Sequence, residues 1–436
     1  MKIKNSLLKG VFALSIGGIV TKLIGVLYRI PLTNLLGAKG IGLYQMVFPL
    51  YSILLTFSST GVPNGIAKLI AEGGEKGQVL KSSVKIFFII SLIFSFLMAT
   101  FCFKIAKVQG DKGAWLGYLL ISPSVVIVSI ISCYRGYFQG QINMKPTAVS
   151  QVVEQAVKLV FGLIFVYVFR KNVVMAVGGA TLAVTISELV ALLYLFILAK
   201  KDGGGIKINQ NYFPYKSIIK VVVPMMAVTL IMPLIRFVDS FLILNVLSKY
   251  LENATSLYGI YSGVVESIVS LPIAVLYSLA VTSVPIVSKL KKNGENYTKK
   301  ILKIVLLTFI LGVILGALLC LFSPLIIKIL FNNLSENNKL IAVNMLKLSS
   351  LSVVFLSTMQ TLIASLNACG FFKITIINTI ISGFIKIIST LLFLKIPKIN
   401  IFGAVFSDVL CYLIACFLNL SYIIYKLIKL RRNNYE

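Results

Sequence analysis

Ten ionisable side chains sit inside stretches of sequence that are otherwise apolar. Five are basic: Lys22, Arg29, Lys158, Arg236 and Lys386. Five are acidic: Glu154, Glu188, Asp239, Glu266 and Asp408. A charge at the centre of a membrane helix costs about 2.5–3.5 kcal/mol on insertion scales, so each should face a cavity or another charge. Spacing sorts them. Lys22 and Arg29 are seven residues apart, two helical turns, and project from one face. Like charges so placed repel unless an anion or carboxylates lie between them, which makes the pair a contact for an anionic substrate. Arg29, close to its helix end, can also reach the interface by snorkelling. Glu154 with Lys158 (i,i+4) and Arg236 with Asp239 (i,i+3) can each neutralise themselves on one helix as structural ion pairs. Lys386 has no acid three or four positions away and needs a carboxylate from another helix or a ligand. Glu188, Glu266 and Asp408 can supply that carboxylate, or can be sites for a proton or cation. Arginine offers phosphate a rigid fork and lysine a mobile point charge, so a cavity holding all five cations suits a pyrophosphate or an acidic sugar.

Other chemistries are excluded by composition. The 436 residues contain no histidine, which removes Ser-His-Asp and Cys-His nucleophile systems and His-ligated metals. Six cysteines lie in or beside apolar runs and form no CxxC pair, so neither a zinc site nor a disulfide scaffold is expected. There is no GxxxxGK[ST] loop and no DDxxD-like cluster for magnesium. No cofactor, metal or enzymatic activity is expected. Energy must then come from gradients or substrate flux; an inside-negative potential of 100 mV favours outward movement of a −2 charge by about 4.6 kcal/mol.

The elements that position these charges are membrane helices. Apolar residues make up 58% of the chain, charged residues 13%, and mean hydropathy is +0.96, outside the range of soluble domains. Continuous apolar runs of about 20 residues or more predict twelve spans, near 11–31, 41–69, 85–107, 115–134, 147–169, 173–199, 217–245, 257–288, 301–323, 341–366, 373–394 and 402–428. The runs do not alternate, so they are not barrel strands. The first run follows Lys2, Lys4 and Lys9 as a signal peptide would, but Lys22 and Arg29 interrupt it and no clear cleavage site follows, so it reads as a span. Pro224 and Pro233 flank a stretch just before Arg236 and read as a hinge or as a static kink.

With the amino terminus inside, the cytoplasmic segments carry 25 Lys+Arg and the external ones 12, which predicts both termini in the cytoplasm. The net charge of +29 is therefore mostly a topology signal; the basic residues are scattered over short loops, which argues against a nucleic-acid partner.

The chain also resembles itself. At an offset of 228 residues, 122–166 aligns with 350–394 without a gap and with ten identities, among them Ser122/Ser350, Ser129/Ser357, Phe165/Phe393 and the intramembrane pair Lys158/Lys386. Gly179-Ala180 matches Gly403-Ala404 at an offset of 224. Two parallel six-helix halves are predicted, 1–205 and 206–436, divided in a linker that begins at Lys200. The expected architecture is all-α: twelve transmembrane helices in two pseudo-symmetric bundles around a central cavity, a transporter plan.

Near the amino terminus, Lys9-Gly10, Val20-Thr21-Lys22-Leu23-Ile24-Gly25, Arg29, Gly37-Ala38-Lys39-Gly40-Ile41-Gly42-Leu43-Tyr44, Gly61-Val62-Pro63 and Ile66-Ala67-Lys68-Leu69-Ile70-Ala71-Glu72 resemble the start of the stage V sporulation protein B family. That family belongs to the multidrug/oligosaccharidyl-lipid/polysaccharide (MOP) exporter superfamily, which includes the MurJ-type lipid II flippases. The resemblance implies two six-helix bundles around a V-shaped cavity. It implies an undecaprenyl-pyrophosphate-linked oligosaccharide as substrate, such as a peptidoglycan or surface-polysaccharide precursor, carried to the outer leaflet of a bacterial cytoplasmic membrane. It also places basic residues of helix 1 in the cavity: Lys22 matches such a position, and Arg29 sits about one residue out of register with another. The lipid II flippases carry two further C-terminal helices at a lipid-tail groove, beyond the twelve predicted here. The alternative within the superfamily is an H⁺- or Na⁺-coupled multidrug exporter, for which Asp239, Glu154 or Glu266 is the coupling carboxylate.

Overall fold

The protein is described by a computed structural model covering residues 2–59, 61–202, 212–292 and 297–432. Among these residues every regular element is a helix, as expected where lipid cannot satisfy backbone polar groups. The first seven α-helices are α1 (Lys2–Ser59), α2 (Gly61–Ala71), α3 (Lys76–Thr100), α4 (Cys102–Gln109), α5 (Trp115–Gly140), α6 (Lys145–Val168) and α7 (Val173–Lys201). The next are α8 (Tyr215–Leu247), α9 (Ala254–Tyr258), a π-helix (Gly259–Val265), α10 (Glu266–Lys292) and α11 (Tyr297–Leu330). The last are α12 (Glu336–Ala368), α13 (Phe372–Leu394) and α14 (Phe402–Arg432).

Eleven described segments are long and apolar enough to cross a membrane, and the first of them, Val20–Ala71, is broken inside α1 at Gly37. Its φ of 66° and ψ of −178° suit glycine and strain any side chain. Counting the two arms separately gives the twelve expected spans. Prolines are accommodated locally. Pro123 has no N–H for the carbonyl of Leu119, and the Ser122 hydroxyl donates to that oxygen instead at 2.8 Å. Ser323 does the same for Cys320, the acceptor that Pro324 abandons, at 2.9 Å.

The chain forms two compact units, Met1–Phe241 and Leu242–Glu436. The sequence boundary at 205/206 falls in 203–211, outside the described residues. Most of α8 belongs to the N-terminal unit, which runs to Phe241: Ile218, Val222 and Met226 join one core with Val62, Ile66, Leu80 and Tyr137. In that unit α5 packs on α2, α3 and α7, while α6 packs on α1 and α7. In the C-terminal unit α12 packs on α10, α11 and α14, and α13 packs on α14.

The internal resemblance is structural. A Cβ on Gly179 would lie 2.9 Å from Phe165 Cβ, and one on Gly403 2.8 Å from Phe393 Cβ, so the matched glycines press on the matched phenylalanines. Ser122 and Ser350 donate to the carbonyls three residues back, and Ser129 and Ser357 to those of Val125 and Val353.

Candidate functional site

In the N-terminal unit the charges gather where α1, α5, α6 and α7 meet. Small residues let α1 approach α6: a Cβ on Gly17 would come within 3.0 Å of Ala148 Cβ, and Gly25 lies beside Gln155. Further along the same contact Tyr28 lies against Gly162, where an added Cβ would sit 2.5 Å from the phenol oxygen. Lys158, one turn before Gly162, holds its ammonium 5.8 Å from the centre of the Tyr28 ring. Arg29, Glu154 and Glu188 all lie within electrostatic range of Lys158. Lys22 is exposed and Arg29 half-buried on the same arm of α1.

The two carboxylates near Lys158 are engaged elsewhere. Glu154 Oε2 is 3.0 Å from Arg135 Nη2, and Arg135 Nε also donates to Ser150 Oγ at 3.1 Å. The intrahelical Glu154–Lys158 pair expected from spacing is thus replaced by a pair across α5 and α6. Arginine wins because its fork reaches Ser150 and Glu154, one turn apart on α6, together. Glu188 is buried on α7 and accepts from the hydroxyls of Tyr51, at 2.5 Å, and Ser124. Among the described residues no carboxylate comes within ion-pair distance of the Lys158 ammonium.

Arg135 escapes the sequence reading because the apolar run stops at Tyr134, whereas α5 continues to Gly140. Gly136 and Gly140 are contact positions. Added Cβ atoms there would lie 2.8 Å from Ile66 Cβ and Ile70 Cβ, so α5 crosses α2 on a glycine face at i,i+4. That four-residue glycine spacing is the available signal. Tyr51 and Ser124 carry no charge, so residue type and spacing give no sign that they serve Glu188.

In the membrane stretch of α8, Leu230–Leu247, Arg236 is exposed and Asp239 buried. Next to Asp239, Ser240 accepts from Gln109 Nε2 at 3.2 Å. The helix runs through Pro224 and Pro233; the side chain of Pro224 lies outside the described residues.

In the C-terminal unit Lys386 finds the cross-helix carboxylate that its sequence surroundings lack. Its Nζ is 2.6 Å from Asp408 Oδ1, both groups being buried between α13 and α14. Tyr261, on the π-helix, donates its hydroxyl to Asp408 Oδ2. π-Turns are rare and here the distortion presents a tyrosine to an ion pair. Glu266, just past the π-helix, is exposed and accepts from Ser262 Oγ at 2.9 Å.

The chain matches the family described as "Polysaccharide biosynthesis protein" over residues 7–291. Stage V sporulation protein B of Bacillus subtilis is 27% identical over 427 residues, covering 93% of this chain and 81% of that one. Lipid II flippase MurJ of the same organism is 26% identical over 326 residues, 67% of this chain and 59% of that one. Among solved structures, an inward-facing multidrug resistance MATE family transporter of the MOP superfamily superposes with a TM-score of 0.77 at 16% identity, over 97% of this chain and 99% of that one. Lipid II flippase MurJ in an inward closed conformation gives 0.74 at 17% identity, over 94% and 87%. The fold is that of these transporters, helical in every regular element among the described residues and with twelve membrane spans.

Proposed function

Because the chain belongs to the polysaccharide biosynthesis protein family, we propose that it flips an undecaprenyl-pyrophosphate-linked oligosaccharide to the outer leaflet of the cytoplasmic membrane. Lys158 carries the reading. It is a partly buried ammonium inside the membrane, held over Tyr28, while both neighbouring carboxylates are occupied by other donors. Lys22, Arg29, Arg135 and Lys158 set four cations against Glu154 and Glu188 on four packed helices. A net charge near +2 is matched to a pyrophosphate, and arginine with lysine gives both directional and adaptable contacts to its oxygens. The headgroup passes along this face in an alternating-access cycle while the polyprenyl tail stays in lipid. Arg236 and Lys386 are the remaining cations of the set. Lys386 serves in this reading as the internal partner of Asp408.

The parts that move are the N-terminal and C-terminal bundles, both termini lie in the cytoplasm, and α8, whose first turns pack in the core of the N-terminal unit, bends at Pro224 and Pro233. The test is mass spectrometry of lipids co-purified with the protein, followed by headgroup flipping in proteoliposomes. Wild type should retain a polyprenyl-pyrophosphate glycolipid, and Lys158→Gln should lose both retention and flipping. Wild-type flipping by the variant at normal expression would remove this assignment.

The similarity to MATE transporters and the buried Asp239 support a second reading, an exporter of organic cations coupled to H⁺ or Na⁺. Overexpression should then confer resistance to cationic drugs, and Asp239→Asn should abolish it.

A further inference from the structure

On α3 the outward face changes character within three turns. Lys81 and Lys85 occupy its first part; Phe88, Ile89, Leu92 and Phe96 follow, with exposures from 40% to 68%. An apolar side chain left open on a membrane helix faces acyl chains, so the step from lysine to phenylalanine marks the depth of the lipid phosphates. A second segment is fastened at that depth. The backbone N–H of Phe213 donates to Ser82 Oγ at 2.8 Å, which lays the Tyr212 ring beneath both lysines. Lys81 Nζ is 4.4 Å from the ring centre and Lys85 Nζ 4.8 Å, so the two ammoniums lie within about 9 Å of each other.

A ring face satisfies the charge of an ammonium from one side only. Each lysine brings three N–H donors, and the phenol adds another. Lys216 and Lys220, exposed on the first turns of α8, increase the positive field. Of the acids nearby, Glu72 is 3.7 Å from Lys68, and Asp202 is engaged by Lys76 at 3.7 Å and by the Tyr137 hydroxyl. The arrangement recurs in the C-terminal unit. There Lys291 and Lys426, from α10 and α14, lie 4.9 and 5.2 Å from the Phe371 ring centre. Phe372 and Tyr425 beside them are more than half exposed.

We propose that Lys81, Lys85 and Tyr212 form a binding site for the phosphodiester headgroup of an anionic membrane lipid. Its acyl chains lie along Phe88, Ile89, Leu92 and Phe96. The site stands on α3 and the start of α8, on different helices from the α1–α6 charges assigned to the transported headgroup. It supplies the combination that recognises such a lipid: two cations at phosphate depth, an interfacial aromatic and a greasy track below.

The full-length protein in neutral detergent provides the test. Unfolding temperature is titrated against phosphatidylglycerol, phosphatidylcholine and inorganic phosphate, and bound lipids are counted by native mass spectrometry. Phosphatidylglycerol should stabilise wild type and phosphatidylcholine should not. K81Q/K85Q should weaken phosphatidylglycerol binding at least fivefold and lower the number of retained lipids. Y212F, which keeps the ring, should bind within twofold of wild type, and Y212L should follow the double lysine variant. Should K81Q/K85Q fold poorly, the exposed single variant K85Q must still weaken binding at least twofold. Unchanged binding in the lysine variants, equal effects of the two lipids, or an equal shift with inorganic phosphate would each overturn the proposal, the last by showing a free-anion site.

Discussion

Each compact unit contains a lysine, a carboxylate and a tyrosine on neighbouring helices, but only in one of them do the lysine and the carboxylate meet. In the C-terminal unit Lys386 on α13, Asp408 on α14 and Tyr261 on the π-helix form a buried trio, with 2.6 Å between the charges and the Tyr261 hydroxyl on the other carboxylate oxygen. In the N-terminal unit Lys158 on α6, the residue matched to Lys386, has Glu188 on α7 and Tyr51 on the second arm of α1 in its neighbourhood. There Ser124 joins Tyr51 on the acid, while the ammonium sits over Tyr28. Gly162 makes room for that ring; the position 228 residues later is the buried Thr390. One duplicated design has thus become a staple in one unit and a set of held-back charges in the other. The comparison also predicts which changes affect stability and which affect transport.

The staple should give the largest loss. Asp408→Asn or Lys386→Met leaves a buried charge without its partner, which costs about 3–5 kcal/mol. Denaturant or thermal unfolding in detergent measures it. The double variant Lys386→Met/Asp408→Leu replaces both charges by apolar groups and should recover most of that loss, since a buried pair rarely outperforms good packing. A double variant no more stable than the singles would mean that Tyr261 or the π-helix depends on the pair itself.

Lys158→Gln should do the reverse. With no described carboxylate at ion-pair distance, its removal should change stability by less than about 1 kcal/mol, while on the proposed function flipping falls at least tenfold, about 1.4 kcal/mol in the barrier. Unfolding and proteoliposome flipping on the same preparation separate the two. A variant that unfolds like the Lys386 series would show that the N-terminal set is a staple too.

The contrast was only half legible in the sequence. Helix number and the duplication follow from apolar run length and from Lys158/Lys386, because in lipid both are set by solvation along a single helix. Partnership is different. Glu154 offered two donors at reach, and spacing favours Lys158; the choice of Arg135 depends on how closely α5 approaches α6. Likewise Asp408 could be named but not joined to Lys386, since the pair spans two helices. The hydroxyls of Tyr51, Ser124 and Tyr261 have no charge to mark them, and their roles exist only once three helices are packed. The π-helix has no sequence rule that would have placed Tyr261.

Gly162→Ala addresses the seat of the open set. The new methyl would stand 2.5 Å from the Tyr28 oxygen, so the ring must move or α1 must retreat from α6. Overpacking of this kind costs about 1–3 kcal/mol. Flipping should also fall, because the ring that holds Lys158 is displaced; Tyr28→Leu/Gly162→Ala should restore stability without restoring flipping. Recovery of both would mean that the ring fills space and does not position the ammonium.

The smallest expected effect compares the two tyrosine hydroxyls. Tyr51→Phe leaves Glu188 with Ser124 as its remaining described hydroxyl donor, in a buried site where an under-satisfied acceptor costs about 1–3 kcal/mol. Tyr261→Phe leaves Asp408 bonded to the Lys386 ammonium, so the loss should be nearer the net worth of one hydrogen bond, about 0.5–1.5 kcal/mol. Unfolding of the two variants side by side measures a difference of about 1 kcal/mol. Equal losses would mean that the Glu188 site readjusts when a donor goes, with Lys158 swinging from the Tyr28 ring to the acid. In that case the open set can close, and the double variant Tyr51→Phe/Lys158→Gln should then lose more stability than its two single changes added together.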